Sequence, residues 1–207
     1  MCRGTRRILW YFSRFNYACR PAKKTQTEQD YLTLEATSEI KNEFVDGDCY
    51  AMSGASDQHI RITGNIFFRL RLAMQGKPNP CAVYSSDMKC RAEHGKIYYY
   101  PDVMLVCDKN DNAQFYKEHP CFIAEVQSPS TERVDRHEKR QTYSEIPSLR
   151  YYLLADSQRK KVEFYQRDAN GVWQLGSLTA GETLQIACGV YQAALTLDYI
   201  YEDVVFE

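Results

Sequence analysis

No apolar run in the chain approaches the roughly 18–20 residues of a membrane span, and there is no internal repeat and no low-complexity tract. These absences leave a soluble folded protein with no membrane partner as the expectation. Among eight cysteines (2, 19, 49, 81, 90, 107, 121 and 188) there is no Cys-x-x-Cys pair and none of the close spacings of a zinc site. Several, such as Cys107 after Met104-Leu105-Val106, lie in apolar runs. The expectation is reduced, buried cysteines acting as small hydrophobes in a cytoplasmic protein. Acidic side chains are missing from residues 1–27, which carry Arg3, Arg6, Arg7, Arg14, Arg20, Lys23 and Lys24.

Those seven cations hide an acidic remainder. Of 26 lysines and arginines in all, 19 remain beyond residue 27, against 27 aspartates and glutamates. Such a balance repels a phosphate backbone unless positive charge is gathered on one face. The stretch Ile8-Leu9-Trp10-Tyr11-Phe12 is too short for a secretory apolar core. Residues 1–26 therefore read as a basic, disordered extension, with a nucleic-acid-binding arm as the sharper alternative. Residues 27–207 are long enough to bury one core and read as one domain.

Local signals order the elements. Thr27 caps a helix over about 28–36, with Glu28 and Asp30 in its first turn. Asp46-Gly47 sits between short alternating flanks from Glu43 to Met52, a hairpin pattern. Ser56 or Asp57 caps a second helix in which Ile60, Ile62 or Thr63, Phe67, Leu70 and Met74 recur at helical spacing, ending near Gly76 and Pro78. Strands follow over about 81–91, 96–107 and 121–126. A charged helix runs from Thr131 to Tyr143, and a fourth strand covers Tyr151 to Ala155. A helix between strands three and four implies a right-handed crossover and a mixed sheet. The remaining segments read as a β-meander extending that sheet, with Asn170-Gly171 as a hairpin turn.

Two carboxylates stand out in this frame. Asp102 follows Pro101 inside a strand, an irregularity that can turn the next side chain toward a cleft, or that simply ends a turn after Tyr98-Tyr99-Tyr100. Glu125 lies among Phe122, Ile123, Ala124 and Val126, where a charge is costly unless partnered by donors, a cation or a metal. An ion pair with Lys139 or Arg136 is the structural explanation, and a divalent-cation site is the functional one. Asp135 and Lys139 can equally be an i, i+4 pair on a solvated helix face.

Pro101-Asp102 followed by Glu125-Val126-Gln127 resembles the split motif of the PD-(D/E)XK nuclease superfamily. Further blocks are similar to the Uma2 (DUF820-like) restriction-endonuclease family: Glu43 to Ser56 with His59, Tyr84 to Met88, Tyr100 to Val103, Glu125 to Thr131, Asp135 to Lys139 and Ile146 to Leu153. The resemblance spans about Thr27 to Val205. It implies an α/β fold with a restriction-endonuclease-like core of helix, three strands, helix and strand.

The same resemblance implies a metal-dependent endonuclease acting on DNA, with Mg²⁺ or Mn²⁺ as cofactor and a possible homodimer for double-strand cutting. Asp102 and Glu125 match the metal-binding carboxylates, and Asp87 on the preceding strand is a third acidic candidate. Gln127 stands where the superfamily pattern has lysine, so it can orient water without supplying charge. Lys139 matches the Asp-Arg-x-x-Lys block and becomes the candidate for a relocated catalytic cation. Glu43 matches a recurrent family glutamate, and His59 is a candidate phosphate contact or acid/base group. The competing reading is an inactive nuclease-fold module that binds or regulates.

Overall fold

The computed structural model describes residues 26–76 and 81–206, so the expectation of a disordered extension over 1–26 lies outside the described residues except for Gln26. By compactness the chain falls into two units, one ending at Ser53 and the other running from Gly54 to Glu207.

In the first unit, α1 (Glu28–Glu35) begins at Thr27, whose side chain accepts from the Asp30 N–H while Asp30 accepts from the Thr27 N–H at 3.0 Å. This reciprocal cap satisfies two of the amides that a helix start leaves unpaired. Tyr31 is buried, stacks on Phe44 with ring centroids 4.9 Å apart, and donates its hydroxyl to the Asn42 carbonyl. Strands β1 (Asn42–Val45) and β2 (Asp48–Ala51) form the expected hairpin. Asp46 and Gly47 both have positive φ, 49° and 94°, as a tight two-residue turn between twisted strands requires.

The second unit begins with α2 (Asp57–Leu72), capped by Ser56, which accepts from the His59 N–H. Its buried stripe is Ile62, Thr63, Ile66 and Leu70. Ile60, expected on that stripe, is instead exposed, because the apolar face is set by residues 62, 66 and 70 and lies away from position 60. Each of the two long strands expected next is broken. β3 (Ala82–Ser85) and β4 (Lys89–Ala92) flank a turn at Ser86 and Asp87, and β5 (Ile97–Tyr99) and β6 (Val103–Val106) flank Pro101. Proline cannot donate to a ladder, so the chain changes partners there: β5 pairs with β4, whereas β6 pairs with β3 and β8. A short β7 (Tyr116–Lys117) runs parallel to β4.

The central strand is β8 (Pro120–Gln127), buried along its whole length. It is antiparallel to β6 and parallel to β9 (Tyr151–Asp156). Between β8 and β9 lies a continuous helical passage composed of α3 (Glu132–Val134), a π-helical stretch (Asp135–Lys139) and α4 (Arg140–Ser144). The helical crossover and the parallel pairing are those expected from the sequence. Phe122, Ala124 and Val126 share a core with Ile62, Ile66 and Leu70 of α2. The alternate residues Ile123, Glu125 and Gln127 therefore point to the opposite face, the one covered by the β8–β9 passage.

Strands β10 (Val162–Arg167) and β11 (Trp173–Leu178) extend the sheet, giving the order β11-β10-β9-β8-β6-β3. The meander was expected to extend it further. Instead, among the described residues, β12 (Thr183–Cys188) and β13 (Tyr191–Thr196) pair only with each other, and Leu184, Ile186, Tyr191 and Leu195 pack into the core shared with α2. Their alternation is single-sided, so the hairpin caps the core as a separate layer. A short α5 (Leu197–Ile200) follows. Among the described residues no helix is long and apolar enough to cross a membrane.

Four cysteines depart from the expected reduced state. Cys81 is joined to Cys107 and Cys121 to Cys188, while Cys49 and Cys90 are free. The separations of 26 and 67 residues gave no hint of this. The sheet brings these positions together through long-range pairing that spacing does not report.

Candidate active site

Strand register places the two carboxylates. Val103 pairs with Ala124 across β6 and β8, so Asp102 stands beside Glu125 at the end of the ladder. The carboxylates are interlocked through the backbone: Asp102 Oδ2 accepts from the Val126 N–H at 2.7 Å, and Glu125 Oε2 accepts from the Asp102 N–H at 3.4 Å. Each holds the other's strand in place. Asp102 Oδ1 has no hydrogen-bond partner among the described residues.

The helical passage supplies the partners of Glu125. Lys139 Nζ lies 3.2 Å from Glu125 Oε1 and 3.6 Å from Asp135 Oδ1, and Tyr143 donates its hydroxyl to Glu125 Oε1 at 3.0 Å. Glu125, Asp135 and Lys139 are 3%, 2% and 7% exposed, so this is a buried cluster and not the solvated helix face that the sequence also allowed. Lys139 Nζ also sits 5.3 Å from the centre of the Tyr99 ring, within cation–π range. Arg136, the other candidate partner for Glu125, pairs instead with Glu132 and Glu163.

The buried Tyr152 hydroxyl donates to the Asp135 carbonyl, at the start of the π-helical stretch, at 2.8 Å. Burial, followed by the charges of Asp135 and Glu125, pushes the Tyr152 hydroxyl well above its ordinary pKa, so it stays a donor.

His59 approaches from α2. Its Nε2 lies 3.2 Å from Asp102 Oδ2. Burial alone would lower its pKa, but the hydrogen bond to Asp102, the Asp102 charge and the Asp135 charge outweigh burial and the opposing effect of Lys139, leaving it raised above 6.5. Gln127, on the same face of β8 as Glu125, donates its amide to the Glu132 carbonyl at 3.3 Å and ties the strand to the first turn of the passage.

The structure thus gathers Asp102, Glu125, Gln127, Lys139 and His59. Asp87 does not occupy a strand: it lies exposed in the turn between β3 and β4, although the adjacent Ser86 N–H donates to the Asp102 carbonyl. Glu43 is buried on β1 in the first unit. Asp135 was read from the sequence only as an i, i+4 partner of Lys139 and as part of its block, and Tyr143 and Tyr152 were not singled out. The first two were legible, since Asp135, Lys139 and Tyr143 form an i, i+4, i+8 stripe. Tyr152 had no comparable signal, because its role depends on the π-helical carbonyl.

Lys139 lies against Glu125 and Asp135, Asp102 stands beside Glu125, and His59 adds positive charge only when protonated. The oxygen-rich donor set suits a hard divalent cation such as Mg²⁺ or Mn²⁺. Asp102 Oδ1 is also open among the described residues, so the residues present fit such an ion.

Comparison with known proteins turns this geometry into a family. The sequence profile of Uma2, described as "Putative restriction endonuclease", matches residues 28–198. The chain belongs to the Uma2 family. Two uncharacterized proteins of Synechocystis sp., slr1290 and sll1609, are similar to this Uma2 chain. The first is 32% identical over 181 residues, covering 86% of this chain and 92% of slr1290. The second is 34% identical over 166 residues, covering 79% and 92% respectively. The fold is similar to that of a crystal structure of a putative nuclease belonging to DUF820 from Anabaena variabilis. That comparison has a TM-score of 0.62 at 13% identity and covers 84% of this chain and 97% of that one. The mixed α/β Uma2 fold is thereby matched by a solved structure.

Proposed function

We propose that the chain is a divalent-cation-dependent endonuclease that hydrolyses DNA phosphodiester bonds through a PD-(D/E)XK-type site. One observation carries the reading: Asp102 and Glu125 are locked together at the end of β6 and β8, with Lys139 delivered to Glu125 from the following helical passage. Asp102 and Glu125 are the residues that would hold Mg²⁺ or Mn²⁺. Bound there, the ion would lower the pKa of a water and polarise the phosphoryl oxygens.

The chain's own groups divide the remaining work. Lys139 supplies positive charge beside Glu125, where a lysine at position 127 is missing, and stabilises negative charge developing on the phosphate. Gln127 keeps its amide nitrogen on Glu132 and offers its carbonyl oxygen to orient the attacking water. His59 can hold or release a proton at Nε2 against Asp102.

The test is cleavage of supercoiled plasmid DNA by the purified chain across Mg²⁺ and Mn²⁺ concentrations. Wild type should nick or linearise the plasmid, and Asp102→Ala should lose at least about 100-fold in rate, the scale expected of a metal-bound transition state. Wild-type protein inert under every metal and substrate condition would overturn the enzyme reading.

A second reading, an inactive nuclease-fold module, is favoured by the absence of a lysine at position 127 together with the commitment of Lys139 to an ion pair. It requires that Mn²⁺ titrated into the protein produce no Asp102-dependent heat of binding.

A further inference from the structure

The strands that hold Asp102 and Glu125 carry a second cluster at their other end. Cys107 follows β6, Cys121 is the second residue of β8, Cys81 precedes β3, and Cys188 ends β12. Cys121 is four residues from Glu125 along β8, about 13 Å at strand rise. The two clusters are therefore distinct sites on one sheet.

Cys81 is joined to Cys107 and Cys121 to Cys188, but these are not two isolated bridges. The sulfurs of Cys107, Cys121 and Cys188 all lie within 4.8 Å of one another. Four sulfurs placed around one Zn²⁺ at about 2.3 Å in tetrahedral array would be about 3.8 Å apart; three of the four already converge to within 4.8 Å, and Cys81, beside Cys107, is the remaining candidate ligand. Two independent disulfides have no need to sit side by side, whereas a tetrathiolate site requires it. Cys81, Cys121 and Cys188 are 9% exposed or less.

The surroundings suit a structural site. The four cysteines line an open cavity of about 610 Å³, and Arg150 lies on its wall. A zinc tetrathiolate carries two negative charges, and a nearby guanidinium offsets part of that. The site would also link separate layers. Cys188 belongs to the β12–β13 hairpin, which has no ladder to the main sheet among the described residues, and the other three belong to β3, β6 and β8 or their ends.

We propose that the reduced chain binds one zinc ion through Cys81, Cys107, Cys121 and Cys188. Four S–H groups lose their protons, four Zn–S bonds form, and no electron is transferred. In the disulfide form the same sulfurs have no thiolates to offer, so the two states exclude each other.

The test begins with full-length protein made in zinc-supplemented medium and purified with a thiol reductant and without chelator. Elemental analysis should give one zinc per chain, and alkylation mass spectrometry after denaturation in chelator should find the four cysteines as free thiols. Reduced, metal-free wild type titrated with Co²⁺ should develop thiolate charge-transfer absorption and intense visible bands of a tetrahedral site at one equivalent. Cys107→Ser and Cys188→Ser should lose the zinc and the spectrum, while Cys49→Ser and Asp102→Ala should keep both. The Asp102 control separates this site from the proposed nuclease centre. If a cysteine variant does not fold, the wild-type Co²⁺ titration still decides. Zinc-free protein whose peptides are linked Cys81–Cys107 and Cys121–Cys188 under these reducing conditions would overturn the proposal. So would reduced protein that takes up no Co²⁺ with thiolate character.

Discussion

Lys139→Met removes the ammonium but retains a long side chain in its place. In the wild type that ammonium is 3.2 Å from one buried carboxylate and 3.6 Å from another. At an effective dielectric constant of 20 each attraction is about 5 kcal/mol before desolvation is counted. The loss on mutation is smaller, because a stranded carboxylate can take up a proton. Protonating a glutamate at pH 7, from an unfolded-chain pKa of about 4.3, costs about 3.7 kcal/mol, and this caps the penalty per carboxylate. We expect Lys139→Met to destabilise the fold by about 3–4 kcal/mol at pH 7, within the range seen when one member of a buried pair is removed.

This cap gives the prediction a pH signature. In the variant, the stranded carboxylate has a folded-state pKa raised above its unfolded value, so the native state binds the extra proton. Relative to wild type, the variant should recover about 1.4 kcal/mol for each unit that the pH falls from 7 toward 5. Urea denaturation at pH 5, 6 and 7 measures it. If the carboxylates can hold a cation, Mn²⁺ at about 100 times its Kd should restore about 2.7 kcal/mol to the variant. A variant within about 1 kcal/mol of wild type at pH 7, with no pH slope, would refute the idea that Lys139 neutralises a buried carboxylate cluster.

His59 has a raised folded-state pKa despite the opposing effect of burial, because of its hydrogen bond and charge pairing with Asp102 and the charge of Asp135. Its stabilisation should be fully present below the unfolded value of about 6.5 and be lost as pH rises through the folded value. His59→Gln should flatten that part of the stability–pH curve, and NMR titration of the His59 ring should place its midpoint above 6.5. On β11, a Cβ at Gly176 would run into the Phe164 ring from its cross-strand partner. Gly176→Ala should cost about 1–3 kcal/mol by overpacking, and a thermal-denaturation double-mutant cycle with Phe164→Leu should recover much of it.

Several elements were legible because independent local signals agreed on them. The Thr27 and Ser56 caps, the Asp46-Gly47 turn, the apolar run at β8 and the helical crossover to β9 each have a local cause visible in the sequence. What escaped depends on partners distant in the chain. Pro101 was legible as an irregularity, but its handover of pairing from β4 to β3 and β8 was not. The π-helical register that puts the Asp135 carbonyl within reach of Tyr152 and the gathering of four cysteines by three strands and a hairpin likewise have no local signature.

Under the proposed PD-(D/E)XK reading, Gln127 in place of a lysine and the lysine at 139 form one geometric exchange. Positions 125 and 127 lie on one face of β8, and the helical passage covers that face. A cation required beside Glu125 can therefore come from two residues along the strand or from the helix above it. Delivery from the helix has a consequence that delivery from the strand would not. Lys139 is held by Asp135 one turn away as well as by Glu125, while the Asp135 carbonyl is pinned by Tyr152 on β9. The position of the cation thus depends on β8, β9 and the π-helical stretch remaining in register. In this arrangement site geometry is coupled to the packing of the crossover itself, and a substitution at Tyr152, which does not touch either proposed metal-binding carboxylate through any of these bonds, is expected to act on Lys139 by loosening the helix that carries it.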